Sequence, residues 1–253
     1  MPDPAPALAR RLLAELVGTG LLVAVVIGSG IAAQELSPQD TGLQLLQNSI
    51  TTVFGLGVLI LVFGPVSGAH FNPVVSAVDW VLGRRHGTGL SGSDVLGYAA
   101  AQIIGGIAGA VLANLMFDLP ALQISDTGRT GLGLWVGEVV ATAGLIAVIV
   151  ALARTGRASL SAAAVASWIG AAYWFTSSTS FANPAVTLSR MFSDTFAGIQ
   201  PSSVPAFVLA QILGAVVGAV LVTALYPDAP AAAGSVVVPA EATPHRPSDR
   251  SRS

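Results

Sequence analysis

The chain has 253 residues, of which 53% are hydrophobic and only 9% are charged, and its formal net charge is −2. Soluble domains carry about 25% charged residues, so this composition leaves too little polar surface for a water-soluble globule and indicates an integral membrane protein. The chain contains no cysteine, which excludes disulfides, thiol catalysis and cysteine-bound metals.

Six apolar runs are long enough to cross a bilayer as helices, because about 20 residues span its hydrocarbon core. In chain order they cover residues 10–32, 44–63, 94–116, 133–153, 159–177 and 205–226. Two further apolar segments, 72–82 and 183–193, begin with Asn-Pro and are too short to span. Residues 227–253 are rich in Pro, Ala and Ser, which predicts a disordered C-terminal tail.

Arginine placement predicts the topology, since the chain has no lysine. If the N-terminus is cytoplasmic, nine arginines fall on the inner side and only Arg129 and Arg190 fall outside. This distribution satisfies the positive-inside bias. It predicts a multi-pass protein of the inner (plasma) membrane with cytoplasmic N- and C-termini.

The sequence repeats itself in two halves, about residues 8–117 and 131–226. Three pairs of segments are similar between the halves: 14–27 with 137–150, 70–78 with 181–189, and 101–113 with 210–222. The first pair places Glu15 opposite Glu138. Because each half holds three spanning helices, the second half must cross the membrane in the opposite direction. Inverted repeats of this kind place their functional site near the midplane, at interrupted helices.

The two Asn-Pro segments are good helix starts at membrane depth. Asn72 and Asn183 are favoured N-cap residues, whose side-chain oxygen accepts a backbone N–H of the first turn. Pro73 and Pro184 suit the first helical position, where a missing N–H is no loss. Two short helices entering from opposite faces would bring their positive dipole ends together. This arrangement predicts a barrier to cations and a path for polar, uncharged solutes.

The segments SGAHFNPV (67–74) and FANPAVT (181–187) resemble the paired Asn-Pro-Ala signatures of the aquaporin family, the major intrinsic proteins. The likeness covers about residues 10–226. It implies an all-α membrane protein with six transmembrane helices and two re-entrant half-helices in an inverted repeat, forming one channel domain over residues 1–226. It also implies a homotetramer with one pore per subunit, conducting water, glycerol or other small neutral solutes.

The same resemblance assigns roles to residues of this chain. It implies that Glu15 and Glu138 brace the re-entrant loops, and that His70 lies at the cytoplasmic side of the pore, with or without gating it by pH. The signature residues that it places at the pore midplane are Asn72, Pro73, Val74, Asn183, Pro184 and Ala185.

The chain departs from the family pattern at two positions. Val74 replaces the alanine of the first signature, and Val186 stands where most members have an arginine that helps to form the narrowest constriction. Counting without gaps, the family's other constriction positions fall at Thr52, Ala171 and Ser180. The side chains of Thr52, Ala171, Ser180 and Val186 are small and uncharged. This predicts a selectivity filter that is wider and less polar than water selectivity needs.

Constrictions without the arginine resemble those of bacterial aquaporins encoded beside arsenic-resistance genes. The resemblance therefore implies trivalent metalloid acids, such as arsenite as neutral As(OH)3, with glycerol and water as further permeants.

Arg190 follows Val186 by four residues, so it lies on the same side of the half-helix, about 5.4 Å further out. Its side chain could turn back to the constriction. The alternative, an arginine at the outer headgroup interface or in an outer vestibule, is favoured because arginines near helix ends usually extend toward water.

A proton- or sodium-coupled secondary transporter is the main alternative, since such transporters also combine inverted repeats with broken helices. Only Glu15 and Glu138 could then serve as coupling groups. An enzyme is not expected, because three histidines and no clustered carboxylates supply no catalytic constellation. We expect no cofactor, no metal and no nucleic-acid partner.

Overall fold

The computed structural model describes residues 6–84 and 87–227, and these residues form eight α-helices. The helices are α1 (Leu8–Leu36), α2 (Thr41–Ser67), α3 (Pro73–Gly83), α4 (Gly92–Met116), α5 (Leu132–Arg154), α6 (Ser161–Phe175), α7 (Pro184–Ser189) and α8 (Val204–Leu225). Short 3-10 turns precede α6 and α8 and follow α7. Apart from Pro227, the predicted tail lies outside the described residues.

Six segments are long and apolar enough to cross a membrane: α1, α2, α4, α5, and α6 and α8 each with its preceding 3-10 turn. Helices α3 and α7 are the two short ones. The predicted fold class is confirmed. The second span is longer than predicted, because α2 continues through Pro65 to Ser67 instead of ending at residue 63. It ends where Gly68 adopts a left-handed φ of 87° and donates its N–H to the Gly64 carbonyl.

Helices α1 and α4 cross with their backbones in direct contact, and α5 and α8 make the equivalent contact. A Cβ added at Gly105 or Gly109 of α4 would overlap the carbonyl oxygen of Leu16 or Gly20 of α1. In the second half, a Cβ added at Gly214 or Gly218 of α8 would likewise overlap the carbonyl oxygen of Val139 or Ala143. Small residues at this spacing let membrane helices approach closely. In each half, two glycines therefore bring the first and third spanning helices into backbone contact.

The two ends of the helix bundle can be told apart by their side-chain contacts. At the end that we call the N-terminal face, Arg11 of α1 donates to the Tyr98 hydroxyl at 2.9 Å. At the opposite end, the linker face, Gln34 accepts the N–H of Phe196 at 2.7 Å beside the linker 117–131. From the midplane, α3 runs toward the N-terminal face and α7 toward the linker face. With six crossings, both ends of the described chain lie at the N-terminal face.

The glycine contact generates a stability prediction. Gly109→Ala should lower the unfolding free energy by about 1–3 kcal/mol, because the added methyl forces α4 away from α1. The matched control is Gly57→Ala in α2, where a Cβ would make only an ordinary contact with the Ala166 Cβ at 3.7 Å. Tryptophan fluorescence during thermal unfolding in detergent measures both variants. Equal melting temperatures would contradict the contact.

Candidate functional site

Glu15 holds the loop between α2 and α3. Its side chain is fully buried, and both carboxylate oxygens accept hydrogen bonds. The backbone N–H groups of His70 and Phe71 donate to it at 2.9 and 2.7 Å. The Ser67 hydroxyl and the Gln102 amide complete the set at 2.6 and 2.7 Å. With four donors on one carboxylate, the group acts as a fixed acceptor for the loop.

Glu138 does the same for the loop between α6 and α7. It is also fully buried, and it accepts the backbone N–H groups of Phe181 and Ala182, each at 2.8 Å. The amide of Gln211 donates to it at 2.6 Å. Each half of the chain therefore uses one buried carboxylate and one glutamine amide to fix its re-entrant loop.

These loops adopt a backbone conformation that needs such support. The loop before α3 has two non-glycine residues with positive φ, Ala69 and Phe71 at 49° and 50°. The loop before α7 has three, Thr179, Ser180 and Ala182 at 61°, 53° and 49°. Each such residue costs about 1–3 kcal/mol and persists only when its surroundings impose it. The N–H bonds to the two glutamates provide that constraint.

Asn72 and Asn183 cap the half-helices as the sequence predicts. The Asn72 Oδ1 accepts the N–H of Val74 at 3.1 Å. The Asn183 Oδ1 accepts those of Ala185 and Val186 at 2.9 and 3.2 Å. The side-chain oxygens are thus occupied by their own helices, and each amide group remains free to donate.

The amide groups of the two asparagines join the half-helices to each other. Asn72 Nδ2 donates to the Ala182 carbonyl at 2.8 Å, and Asn183 Nδ2 donates to the Phe71 carbonyl at 2.7 Å. Each amide keeps one further N–H. The N-terminal ends of α3 and α7 therefore meet within the bundle, and their positive dipole ends converge there.

A cavity of about 70 Å3 passes the meeting point of the half-helices. One wall is aliphatic and comes from four spanning helices: Leu22, Val26, Leu56, Ile60, Leu145, Ile149, Val165 and Ile169. The opposite wall carries Asn72, Asn183 and the backbone of both re-entrant loops. Such a lumen offers few hydrogen-bonding groups, and these lie along one side.

The predicted midplane residues divide into two groups. Asn72 and Asn183 line the cavity, whereas the other four, Pro73, Val74, Pro184 and Ala185, are not among the lining residues. They form the first turns of α3 and α7. Val75 lines the cavity instead, three residues after Asn72, as Val186 does three residues after Asn183.

Three of the four predicted filter residues line the cavity: Thr52, Ser180 and Val186. Ala171 does not, because its side chain is exposed on the outer surface of α6. The structure places Tyr173 there instead, with its hydroxyl 3.2 Å from that of Thr52. Counting without gaps was wrong at this position because the cavity-facing residues of α6 recur every four residues, at 165, 169 and 173.

Arg190 does not lie at a headgroup interface, which was one of the two positions that the favoured interpretation from sequence allowed. Its side chain is 2% exposed and lines the cavity. Its guanidinium carbon lies 3.5 Å from the centroid of the Phe181 ring, and its Nε donates to the Ala197 carbonyl. The expected uncharged constriction therefore has a cation and an aromatic hydroxyl beside it.

His70 lies toward the N-terminal face and lines the same cavity. Its Nδ1 is 3.1 Å from the Ser76 hydroxyl, and its ring packs on Tyr98 with 5.3 Å between the ring centroids. Polar side chains thus mark both directions out of the midplane, His70 toward the N-terminal face and Arg190 toward the linker face.

The positive groups around the cavity disfavour cations. The half-helix termini and Arg190 are positive, so a cation meets repulsion, while uncharged molecules find N–H donors along one wall. Among the described residues, no group of three or more His, Asp or Glu side chains could hold a metal ion.

Comparison with known proteins identifies similar chains. The sequence model of one family, described as Major intrinsic protein, matches residues 5–180 and 161–246. The chain is 51% identical over 205 residues to the Aquaglyceroporin AqpS of Rhizobium meliloti, covering 81% of this chain and 85% of that protein. It is 30% identical over 180 residues to a glycerol uptake facilitator protein of Pseudomonas aeruginosa, covering 61% of each.

A solved structure shares the fold. The aquaglyceroporin from Plasmodium falciparum superimposes with a TM-score of 0.58 at 21% sequence identity, covering 88% of this chain and 96% of that one.

The carboxylate geometry generates a prediction for Glu138→Gln. The variant should lose about 1–3 kcal/mol of stability, because its amide group turns a donor toward the N–H of Phe181 or Ala182 and leaves it unsatisfied. Glu35→Gln, at an exposed position, is the matched control. The melting temperatures of both variants in detergent give the comparison, and a Glu138→Gln protein as stable as the control would refute the bracing role.

Proposed function

The chain belongs to the major intrinsic protein family, and on that premise we propose that it is a passive channel for small neutral solutes that carry several hydroxyl groups. Members of this family are channels and not enzymes. The observation that carries the proposal is the cavity running past the joined tips of α3 and α7, with one aliphatic wall and one hydrogen-bonding wall. A neutral polyol can present hydroxyls to one wall and carbon to the other.

A coupled transporter is less well supported, because its coupling acids would have to meet the solute or ion. Glu15 and Glu138 do not line the cavity. Both are fully buried, and their oxygens accept hydrogen bonds from loop N–H groups and glutamines. Protonation of either carboxylate would disrupt a loop that forms the lumen, so these groups favour a structural role.

Glycerol and trivalent metalloid acids such as arsenite are the solutes that we propose, with water as a further permeant. Glycerol and As(OH)3 share three hydroxyl groups and no net charge. Two similar proteins carry aquaglyceroporin or glycerol uptake in their names. Val186, a small uncharged side chain, leaves room at the filter on the side of α7, and this supports passage of solutes larger than water.

We further propose that the channel is a homotetramer in the inner (plasma) membrane with cytoplasmic termini. The six apolar spans support a multi-pass membrane protein. The arginine bias supports the orientation. Many large apolar side chains remain exposed on the outside of the single subunit, among them Phe54, Leu61 and Val220, and these are available to lipid and to neighbouring subunits.

Swelling of proteoliposomes tests the function directly. Purified protein is reconstituted, and stopped-flow light scattering compares water, glycerol, urea and As(OH)3 with protein-free vesicles. The proposal expects glycerol and As(OH)3 permeability well above the lipid background. Permeability to all four at that background would refute it.

A substitution at the filter tests the assignment of Val186. Val186→Arg should reduce glycerol and As(OH)3 permeability about tenfold more than water permeability, since an increase of about 1.4 kcal/mol in a barrier is a factor of ten. Val186→Leu adds volume without charge and separates narrowing from electrostatics. An unchanged ratio of solute to water permeability in Val186→Arg would contradict the assignment.

A further inference from the structure

Two arginines from different parts of the chain lie on one aromatic ring at the linker-face end of the cavity. Arg190 comes from the turn after α7, and Arg129 comes from the linker between the repeats. Their guanidinium carbons lie 3.5 and 5.0 Å from the centroid of Phe181. Aromatic faces attract guanidinium groups, so Phe181 holds two like charges near each other.

The same two side chains bind three successive carbonyls of the loop after α7. Arg129 donates to Phe196 at 3.1 Å through Nη2 and to Gly198 at 2.8 Å through Nε. Between them, the carbonyl of Ala197 accepts from Nε of Arg190. Arg129 therefore fixes the carbonyls on both sides of the one that positions Arg190.

Neither guanidinium forms an ion pair with a carboxylate of the described residues. Within the described ranges, the structure has an ion pair between Arg11 and Asp94 and none at Arg129 or Arg190. Asp194 lines the wider cavity of about 490 Å3 at the linker face together with Arg129, but its Oδ1 accepts the N–H of Asp126 at 3.0 Å. Burial lowers the pKa of Arg129, and the carboxylate of Glu138 opposes that shift.

Arg190 also keeps donors free for a solute. Its Nε is bound, while the described residues offer no hydrogen-bond acceptor to its two terminal nitrogens. The residue is 2% exposed and lines the cavity. A buried cation that forms no ion pair is costly, and here it lies beside the cavity with its terminal donors unused.

We infer that Arg190 is a specificity-determining residue of the proposed channel, which makes the linker-face end of the cavity electropositive. Arg129 is the positioning residue that holds Arg190 in place across the ring of Phe181. The inference rests on the proposed function and identifies the groups that discriminate charge. A cation is repelled before it reaches the half-helix termini, and the free terminal N–H groups of Arg190 donate to the oxygen atoms of neutral solutes. Arg190 follows Val186 by four residues, and its charge lies on the ring of Phe181.

A single cysteine can measure the electrostatic potential at this end of the cavity, because the chain has none of its own. Ser180 lines the cavity, and within the described residues its hydroxyl has no hydrogen-bond partner, so Ser180→Cys removes none. Iodoacetate and iodoacetamide alkylate thiols and differ little except in charge. The ratio of their alkylation rates reports local potential, since the reactivity of the thiol itself cancels.

In reconstituted Ser180→Cys protein, the iodoacetate-to-iodoacetamide ratio should exceed that of free cysteine by about tenfold, because a nearby unscreened charge changes an ion's free energy by more than 1 kcal/mol. Adding Arg190→Gln, which keeps a donor for Ala197, should lower the ratio about tenfold. Arg190→Lys, which keeps the charge, should preserve most of it.

The control and the positioning test use other arginines. Arg154→Met removes an arginine that binds the Tyr226 carbonyl near the opposite face, and the ratio should not change.

Arg129→Met should lower the ratio when Arg190 is present and lower it less when Arg190→Gln is already in place, since coupled residues are not additive. Equal effects in both backgrounds would overturn the positioning role.

The inference fails if Ser180→Cys alone shows the ratio of free cysteine, and this outcome needs no second variant to fold. It also fails if folded Arg190→Gln protein keeps the full ratio. Neither result depends on solute flux. If vesicles with wild-type protein conduct no solute while the iodoacetate-to-iodoacetamide ratios are as expected, the proposed function fails. The inference that Arg190 makes this end of the cavity electropositive then still holds.

Discussion

The reciprocal hydrogen bonds between Asn72 and Asn183 and the opposite loops are the constraint on which the rest of the structure depends. Each asparagine caps its own half-helix with oxygen and holds the other loop with nitrogen. Asparagine thereby caps the N-termini of both half-helices and joins them at membrane depth. Irregular backbone survives there only when protein groups satisfy it. The cavity lies at this junction because the two re-entrant loops, and not a continuous helix, line it there.

The surrounding bundle serves that junction. Glu15 and Glu138 reach it from α1 and α5 and take up the N–H groups that the left-handed loop residues expose. The glycine contacts of α4 and α8 bring those helices close enough for Gln102 and Gln211 to donate to the same carboxylates. Because the two halves are related by an inverted repeat, the carboxylate, the glutamine amide and the two loop N–H donors on one side recur on the other, and the half-helices meet end to end.

Much of this architecture could be predicted from the sequence, since hydropathy sets the spans and Asn-Pro marks both half-helix starts. The filter could not be predicted as well. Counting along the sequence predicts Ala171, whereas the helical phase of α6 sets the cavity-facing residue and selects Tyr173. The spacing of residues 165, 169 and 173 was the available signal. The direction of Arg190 depends on Phe181 and Ala197, contacts that no local pattern reveals.

The two halves of the lumen differ in chemistry although the backbone repeats. Toward the N-terminal face stands His70, and at the equivalent place toward the linker face stands Phe181, which carries the arginines. We propose that solutes pass this lumen passively. Glycerol entry into proteoliposomes, measured with and without imposed proton and sodium gradients, tests it most directly. For passive permeation we expect initial rates that are proportional to the glycerol gradient and unchanged by either ion gradient. Saturable entry driven by the proton or sodium gradient would instead show coupled transport.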